Sequence, residues 1–379
     1  MKNKKLFRFF AILILAFVII YFALPYYLRQ TLIYMNPGIE DYTIFNNRTV
    51  DAGSVQPWNI SLSYNQAKIS TETEKSLDEM RTVAYLVIHN DSILYEKYGE
   101  GYSDSSRSNS FSVAKSIVSL LIGCAIDEGK IHSIQQPVSD FIPEFGVLEK
   151  DKKLKIIHLL TMSSGLNWDE SYTSPFSKTT KAYYGKDLKK LVTNLHVVEE
   201  PGIINKYLSC NTQLLAMILE KATGKTLSEY ASEKLWKPLG AEHSAYWSLD
   251  KKDGEEKAFC CFSTNARDFA RIGQLILNKG KWKGRQIVSE SFINESISVD
   301  TFLKDKKGKP VDFYGYSWWI MYYKGLKIPY ARGILGQYII VIPEKNLVIV
   351  RLGEKRSHEK RLHPPDIFTY IDFALKLLP

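Results

Sequence analysis

An α+β fold, an α/β sandwich in which one antiparallel sheet is flanked by helices and interrupted by a mainly helical region, is what this 379-residue sequence predicts. Two observations predict it. Strand patterns stand at both ends of the chain: Ala84 to His89, the turn Asn90-Asp91 and Ser92 to Tyr98 read as a β-hairpin, and Tyr314 to Tyr323, Ile328 to Ala331, Gln337 to Ile342 and Leu347 to Leu352 read as later strands. Helical patterns fill the interval from Ser112 to about Glu295. The 45% hydrophobic content lets such a chain bury a large core.

Taken in order, the first element is separate from the rest. Lys2, Lys4, Lys5 and Arg8 precede an apolar run from Phe9 to Leu24 that continues through Pro25-Tyr26-Tyr27-Leu28. That length crosses a bilayer, which takes roughly 17–25 residues, and no small-residue cleavage site interrupts it. Residues 1–30 are therefore expected to be an uncleaved signal anchor, a single-pass helix in membrane lipid with its basic end in the cytoplasm and the remainder outside. A removed signal peptide is the alternative. Residues 31–58 are polar and turn-rich, a lead-in segment, and residues 59–379 are expected to form the main domain, with its sheet drawn from about 80–100 and 310–379. Between these, Ile156 to Met162, Thr212 to Thr223, Leu227 to Leu235 and Thr264 to Leu277 have helical patterns, and Asp366 to Leu378 reads as a closing helix after Pro364-Pro365.

Composition narrows the function. The net charge of +9 comes from 50 basic and 41 acidic residues, but clusters such as Lys150 to Lys153 and Lys304 to Lys307 lack interleaved aromatics, so no nucleic-acid partner is implied. The seven histidines show no metal-ligand spacing, and neither a metal nor another cofactor is expected. Cys124, Cys210, Cys260 and Cys261 do not form a disulfide framework, and free buried thiols are expected. Gly224-Lys225-Thr226 lacks the earlier glycine of a phosphate loop and reads as a helix-ending turn, and there is no glycine-x-serine-x-glycine elbow.

The chemistry centres on Ser112 and Lys115. A three-residue offset on a helix places both side chains on one face, so the amine reaches the hydroxyl. The run Ile117 to Ile126 is apolar almost all round, which marks a buried helix, and an amine taken out of water loses part of its preference for the proton. It can then activate the serine. Ser248 with Lys251 and Ser357 with Lys360 repeat the spacing among charges, where the lysine stays protonated. Tyr207, ahead of a helical pattern, is a candidate proton donor or acceptor whose pKa a neighbouring ammonium would lower. The glycines of Ala331-Arg332-Gly333-Ile334-Leu335-Gly336-Gln337 suit backbone amides that approach an acyl oxygen, and equally a plain turn into a strand.

From about residue 40 onward the sequence resembles the β-lactamase-like, penicillin-recognising serine hydrolases, on the branch of class C β-lactamases, family VIII carboxylesterases and 6-aminohexanoate-dimer hydrolases. Phe111 to Ser116, Leu159 to Leu166, Tyr207-Leu208-Ser209, Ala266 to Gly273 and Gly333 to Tyr338 carry the resemblance, in the family's order. It implies a β-lactamase/transpeptidase-like fold, Ser112 as nucleophile, Lys115 as its activating partner and Tyr207 as general acid or base. The backbone amides of Ser112 and Gln337 are implied as the oxyanion hole, with Gly336 in the third motif. Tyr172 best matches a tyrosine that holds the substrate amide in the 6-aminohexanoate-dimer hydrolase branch, and Ser209 stands where class C enzymes carry asparagine. The third motif departs from lysine-threonine-glycine, reading Ile334-Leu335-Gly336, so no cation is expected there and less charged amides or esters are the expected substrates. The resulting expectation is a membrane-anchored hydrolase forming an acyl-enzyme at Ser112 on a small-molecule amide or ester. A cell-wall peptidase acting on D-amino-acid peptides and a non-catalytic sensor are the alternatives.

Overall fold

The computed structural model describes residues 2–299, 302–359 and 361–378. Strands from the two ends of the chain meet in one seven-stranded sheet. From one edge its order is Trp319–Tyr323, Leu326–Gly333, Gln337–Ile342, Leu347–Gly353, Thr82–His89, Ser92–Tyr98 and Asn59–Ile60. Every pairing is antiparallel except the last. The seam between the two ends pairs Val350 with Leu86 and Ile349 with Val87.

Why these strands read as unbroken apolar runs is clear from their two faces. Thr82–His89 sends Ala84, Leu86 and Ile88 into one core and Tyr85 and Val87 into another, and Leu347–Gly353 divides Val348 and Val350 from Leu347 and Ile349 in the same way. Burial on both sides removes the polar alternation a half-exposed strand would show. The closing helix Pro365–Lys376 covers one face, through Ile367, Tyr370 and Ile371. The helix Ala266–Leu277 lies on the other, so close that a β-carbon at Gly273 would stand 2.5 Å from Val348 and 2.8 Å from Ile339. Asn265 caps this helix by accepting from the Asp268 amide, in the capping role its sequence position suits.

A second sheet of four short strands, in the order Asn47–Val50, Ala245–Ser248, Phe262–Thr264 and Ser108–Asn109, was not anticipated. Strands of two to four residues are too short for alternation to register. This sheet recruits the lead-in segment and delivers the chain into the Ser110-Phe111-Ser112 turn, where the Ser110 amide donates to Phe262 O at 2.7 Å. The apolar N-terminal helix, Lys2–Ala23, includes a stretch at Lys4–Ala23 that is long and apolar enough to cross a membrane and is not buried against the rest of the protein. A second helix, Tyr26–Tyr34, begins at Pro25 and packs on Lys178–Tyr184, stacking Tyr34 on Tyr184 at 6.3 Å. Within the range expected to be an anchor, the described residues fall in two helices, the second packed on the folded body.

The cysteine expectation is half corrected. Cys124 and Cys210 are free and buried, but Cys260 and Cys261 are joined to each other, in a turn where Cys261 takes a positive φ of 69°.

Arg351 fastens the sheet seam. Its guanidinium is fully buried and donates to the carbonyls of Leu335 at 2.9 Å, Gly336 at 2.8 Å and Lys355 at 3.0 Å, and to Thr82 Oγ1 at 3.1 Å. Replacing Arg351 by Met leaves several buried carbonyls without donors, at about 1–3 kcal/mol for each group left unsatisfied. Urea unfolding of Arg351→Met is expected to show a loss of about 3 kcal/mol or more; a loss below about 1 kcal/mol would mean that other donors replace it.

Candidate active site

Ser112 stands immediately before the helix Val113–Asp127, with helical backbone angles of its own (φ −66°, ψ −5°), so the three-residue reach to Lys115 is kept. The preceding Phe111 has φ 44°, a left-handed turn that lifts the serine to the head of the helix. Lys115 is 1% exposed. Its Nζ lies 3.0 Å from Ser112 Oγ and 2.6 Å from Phe259 O, with the Tyr207 ring centroid 5.2 Å away. Burial brings the amine down to about 8, while the negative charge of Glu170 works the other way. Below that value Lys115 donates to the hydroxyl; once neutral it can accept the hydroxyl proton.

The Tyr207 side chain is hydrogen-bonded to Ser112, stacked on Trp319 at 5.7 Å and set edge-on to Tyr314 at 6.1 Å. Its expected pKa direction is corrected: burial pushes the phenol up, the Ser112 hydrogen bond opposes this, and Glu170 raises it further. A neutral phenol can donate to a leaving group or relay a proton. It is not a resting base.

Of the expected third motif, Gln337 has its side chain fully buried, its amide donating to Gly353 O at 2.6 Å, and a β-carbon on Gly336 would stand 2.2 Å from the Arg351 guanidinium; neither residue is among those lining the cleft. Gly333 and Ile334 line it instead. At Gly333 a β-carbon would lie 2.4 Å from Ser110 O and 3.2 Å from Phe111 Cβ, so the strand end presses against the serine turn where only glycine fits. Two glycines three residues apart offer the same signal in sequence, and only the three-dimensional contact separates them.

The residue before Gly333 brings a cation into the cleft, although not at the third-motif position itself, which is Ile334. Arg332 lines the cleft, stacks over Trp319 at 3.6 Å and donates to Leu362 O at 2.8 Å. Lys306 and Arg356 line the same cleft of about 470 Å³, and among the described residues none of these three cations pairs with a carboxylate. Tyr172 also lines it, about half exposed, with its hydroxyl 2.5 Å from Glu170 Oε1. Ser209 is beside the site but turned to Glu170, which takes both its amide at 2.7 Å and its hydroxyl at 2.6 Å. Glu170 was not singled out in sequence, because an isolated glutamate in a polar loop carries no periodic or motif signal. Of the other serine–lysine matches, Ser248 is bonded to Asn47 and Lys251 is paired with Asp187, while Lys360 lies outside the described residues.

A family model described as Beta-lactamase matches residues 71–366. The chain belongs to the beta-lactamase family. A 6-aminohexanoate-dimer hydrolase of Paenarthrobacter ureafaciens is 29% identical to it over 301 residues, 74% of this chain and 75% of that protein. Among solved structures, a Bacillus anthracis protein assigned as a 6-aminohexanoate-dimer hydrolase superposes with a TM-score of 0.71 at 23% identity, over 88% of this chain and 92% of the other. A family VIII carboxylesterase gives 0.64 at 18% identity, over 83% and 99%. The expected β-lactamase/transpeptidase fold is the observed one, and hydrolases are among this beta-lactamase-family chain's relatives.

With the Lys115 amine near 8, the reactivity of Ser112 toward an acylating reagent should rise with pH and level off above it, falling about tenfold per pH unit well below that midpoint. Labelling rates from pH 6 to pH 10 check this; a flat profile would remove the amine from the chemistry.

Proposed function

We propose that this chain is a membrane-anchored serine hydrolase, its domain outside the cytoplasm, that cleaves amide or ester bonds through an acyl-enzyme on Ser112. The observation that carries the reading is the desolvated Lys115 amine 3.0 Å from Ser112 Oγ. In the first half-reaction Ser112 Oγ attacks the carbonyl carbon and its proton passes to Lys115 Nζ. The tetrahedral oxyanion is received by the backbone amides of Ser112 and Ile334, the latter in place of Gln337. Collapse breaks the bond to the amine or alcohol, which leaves with a proton delivered through Tyr207. Water then attacks the acyl-enzyme, returns the serine and releases the acid. The apolar helix at Lys4–Ala23 supports the anchoring.

Arg332, Lys306 and Arg356 favour substrates that carry an anionic group beside the scissile bond. A terminal carboxylate would meet that requirement, so the cell-wall peptidase stands as the second reading.

Full-length protein treated with a fluorophosphonate probe should be labelled, and Ser112→Ala should not. Stable acylation by labelled penicillin would favour the peptidase, and absence of both labels from folded protein would favour the sensor. Arg332→Gln should lower kcat/KM about tenfold or more for a p-nitrophenyl ester bearing a free carboxylate, relative to p-nitrophenyl butyrate. Equal losses on the two esters would remove Arg332 from substrate selection.

A further inference from the structure

Four donors converge on the carboxylate of Glu170. Oε2 accepts from the indole of Trp168 at 2.8 Å and from the Ser209 amide at 2.7 Å, and Oε1 accepts from Tyr172 at 2.5 Å and from the Ser209 hydroxyl at 2.6 Å. These match the roughly four acceptor positions of a carboxylate, and among the described residues no cation forms an ion pair with it. The donors come from two different parts of the chain. Trp168 and Tyr172 belong to the loop on one wall of the cleft; Ser209 opens the helix Ser209–Thr223 and lies two residues beyond Tyr207.

We propose that Glu170 is the positioning residue of this site, a single carboxylate that clamps the Trp168-to-Tyr172 loop onto the Tyr207-to-Ser209 segment and thereby sets where the Tyr207 phenol stands relative to Ser112. The proposal rests on the serine-hydrolase reading. Both walls of the cleft meet at this one side chain, and Tyr172 on the loop is hydrogen-bonded to Ser209 as well, so the same three residues close around one point. The same carboxylate supplies the negative charge felt most by Lys115. Facing these groups are Cys210 from the helix Ser209–Thr223, Tyr207 from the segment before it, and Asp169 and Tyr172 from the loop. At the cleft mouth the facing charges are Lys206, Lys306, Arg332 and Arg356.

The test uses full-length wild type, Glu170→Gln and Glu170→Asp, with the rate of fluorophosphonate labelling of Ser112 followed across pH. Glutamine turns an amide NH₂ toward donors and removes the charge. Its plateau rate should fall about tenfold through loss of alignment, and its acid limb should move to lower pH by about half a unit, because the Lys115 ammonium loses its stabilising neighbour. Aspartate keeps the charge but shortens the reach, so its plateau should fall with the limb unmoved. A folded Glu170→Gln protein with wild-type plateau and limb, or with a lowered plateau and an unmoved limb, would overturn the proposal while leaving the hydrolase reading intact. If Glu170→Gln does not fold, Tyr172→Phe and Ser209→Ala decide: plateau rates several-fold lower support the clamp, and wild-type rates overturn it. Absence of label on wild-type Ser112 overturns the hydrolase reading and this inference with it.

Discussion

A buried amine with no carboxylate against it is the constraint around which this molecule is arranged. Among the described residues Lys115 hydrogen-bonds only to a serine hydroxyl and the Phe259 carbonyl, so the cost of desolvating its charge is only partly offset. That imbalance is what lowers the proton affinity of the amine, and it follows from the enclosure of the helix Val113–Asp127 on nearly every side. The small sheet and the left-handed turn at Phe111 then settle where the serine stands. Sheet, turn and helix together keep this lysine out of water, and burial lowers its affinity for the proton.

The cleft adds a second layer of electrostatics. Cations rim it at Arg332, Arg356 and Lys306, whereas the largest negative influence on the Lys115 amine is Glu170. Arg332 is held by its aromatic neighbour and a carbonyl instead of an acid, which leaves its charge available to an incoming ligand. The strand that carries it ends at Gly333, in contact with the serine turn, so the cleft's cation and Ser112 are tied to one stretch of backbone.

Much of the architecture was legible because it rests on long periodic patterns. The hairpin from Ala84 to Tyr98, the paired strands at Gln337 and Leu347 and the helix after Ser112 each bury apolar side chains in a pattern that survives in one dimension. The serine–lysine pair was legible for a related reason, since helical spacing alone brings its members together. What was not legible depends on contacts between distant segments. Which of two glycines meets the serine turn is decided by Ser110 and Phe111, and Glu170 gains its partners only when the Ser209 helix folds beside it. The four-stranded sheet assembles from pieces too brief to show alternation, and the Cys260–Cys261 bond needs a backbone conformation that composition does not reveal. The direction of the Tyr207 shift failed because desolvation of the phenol outweighs any nearby cation.

The seam joining Leu347–Gly353 to Thr82–His89 has a consequence for how the molecule comes into being. The early hairpin is synthesised long before its partner exists, and until then it presents an open apolar edge on one side. No arrangement of local contacts can complete the central layer in the meantime, so final assembly waits for the last portion of the polypeptide and proceeds through pairings between segments remote in the chain. A product cut short before Leu347 would retain the helix that follows Ser112 and yet leave that edge exposed, a template for aggregation in place of a folded domain.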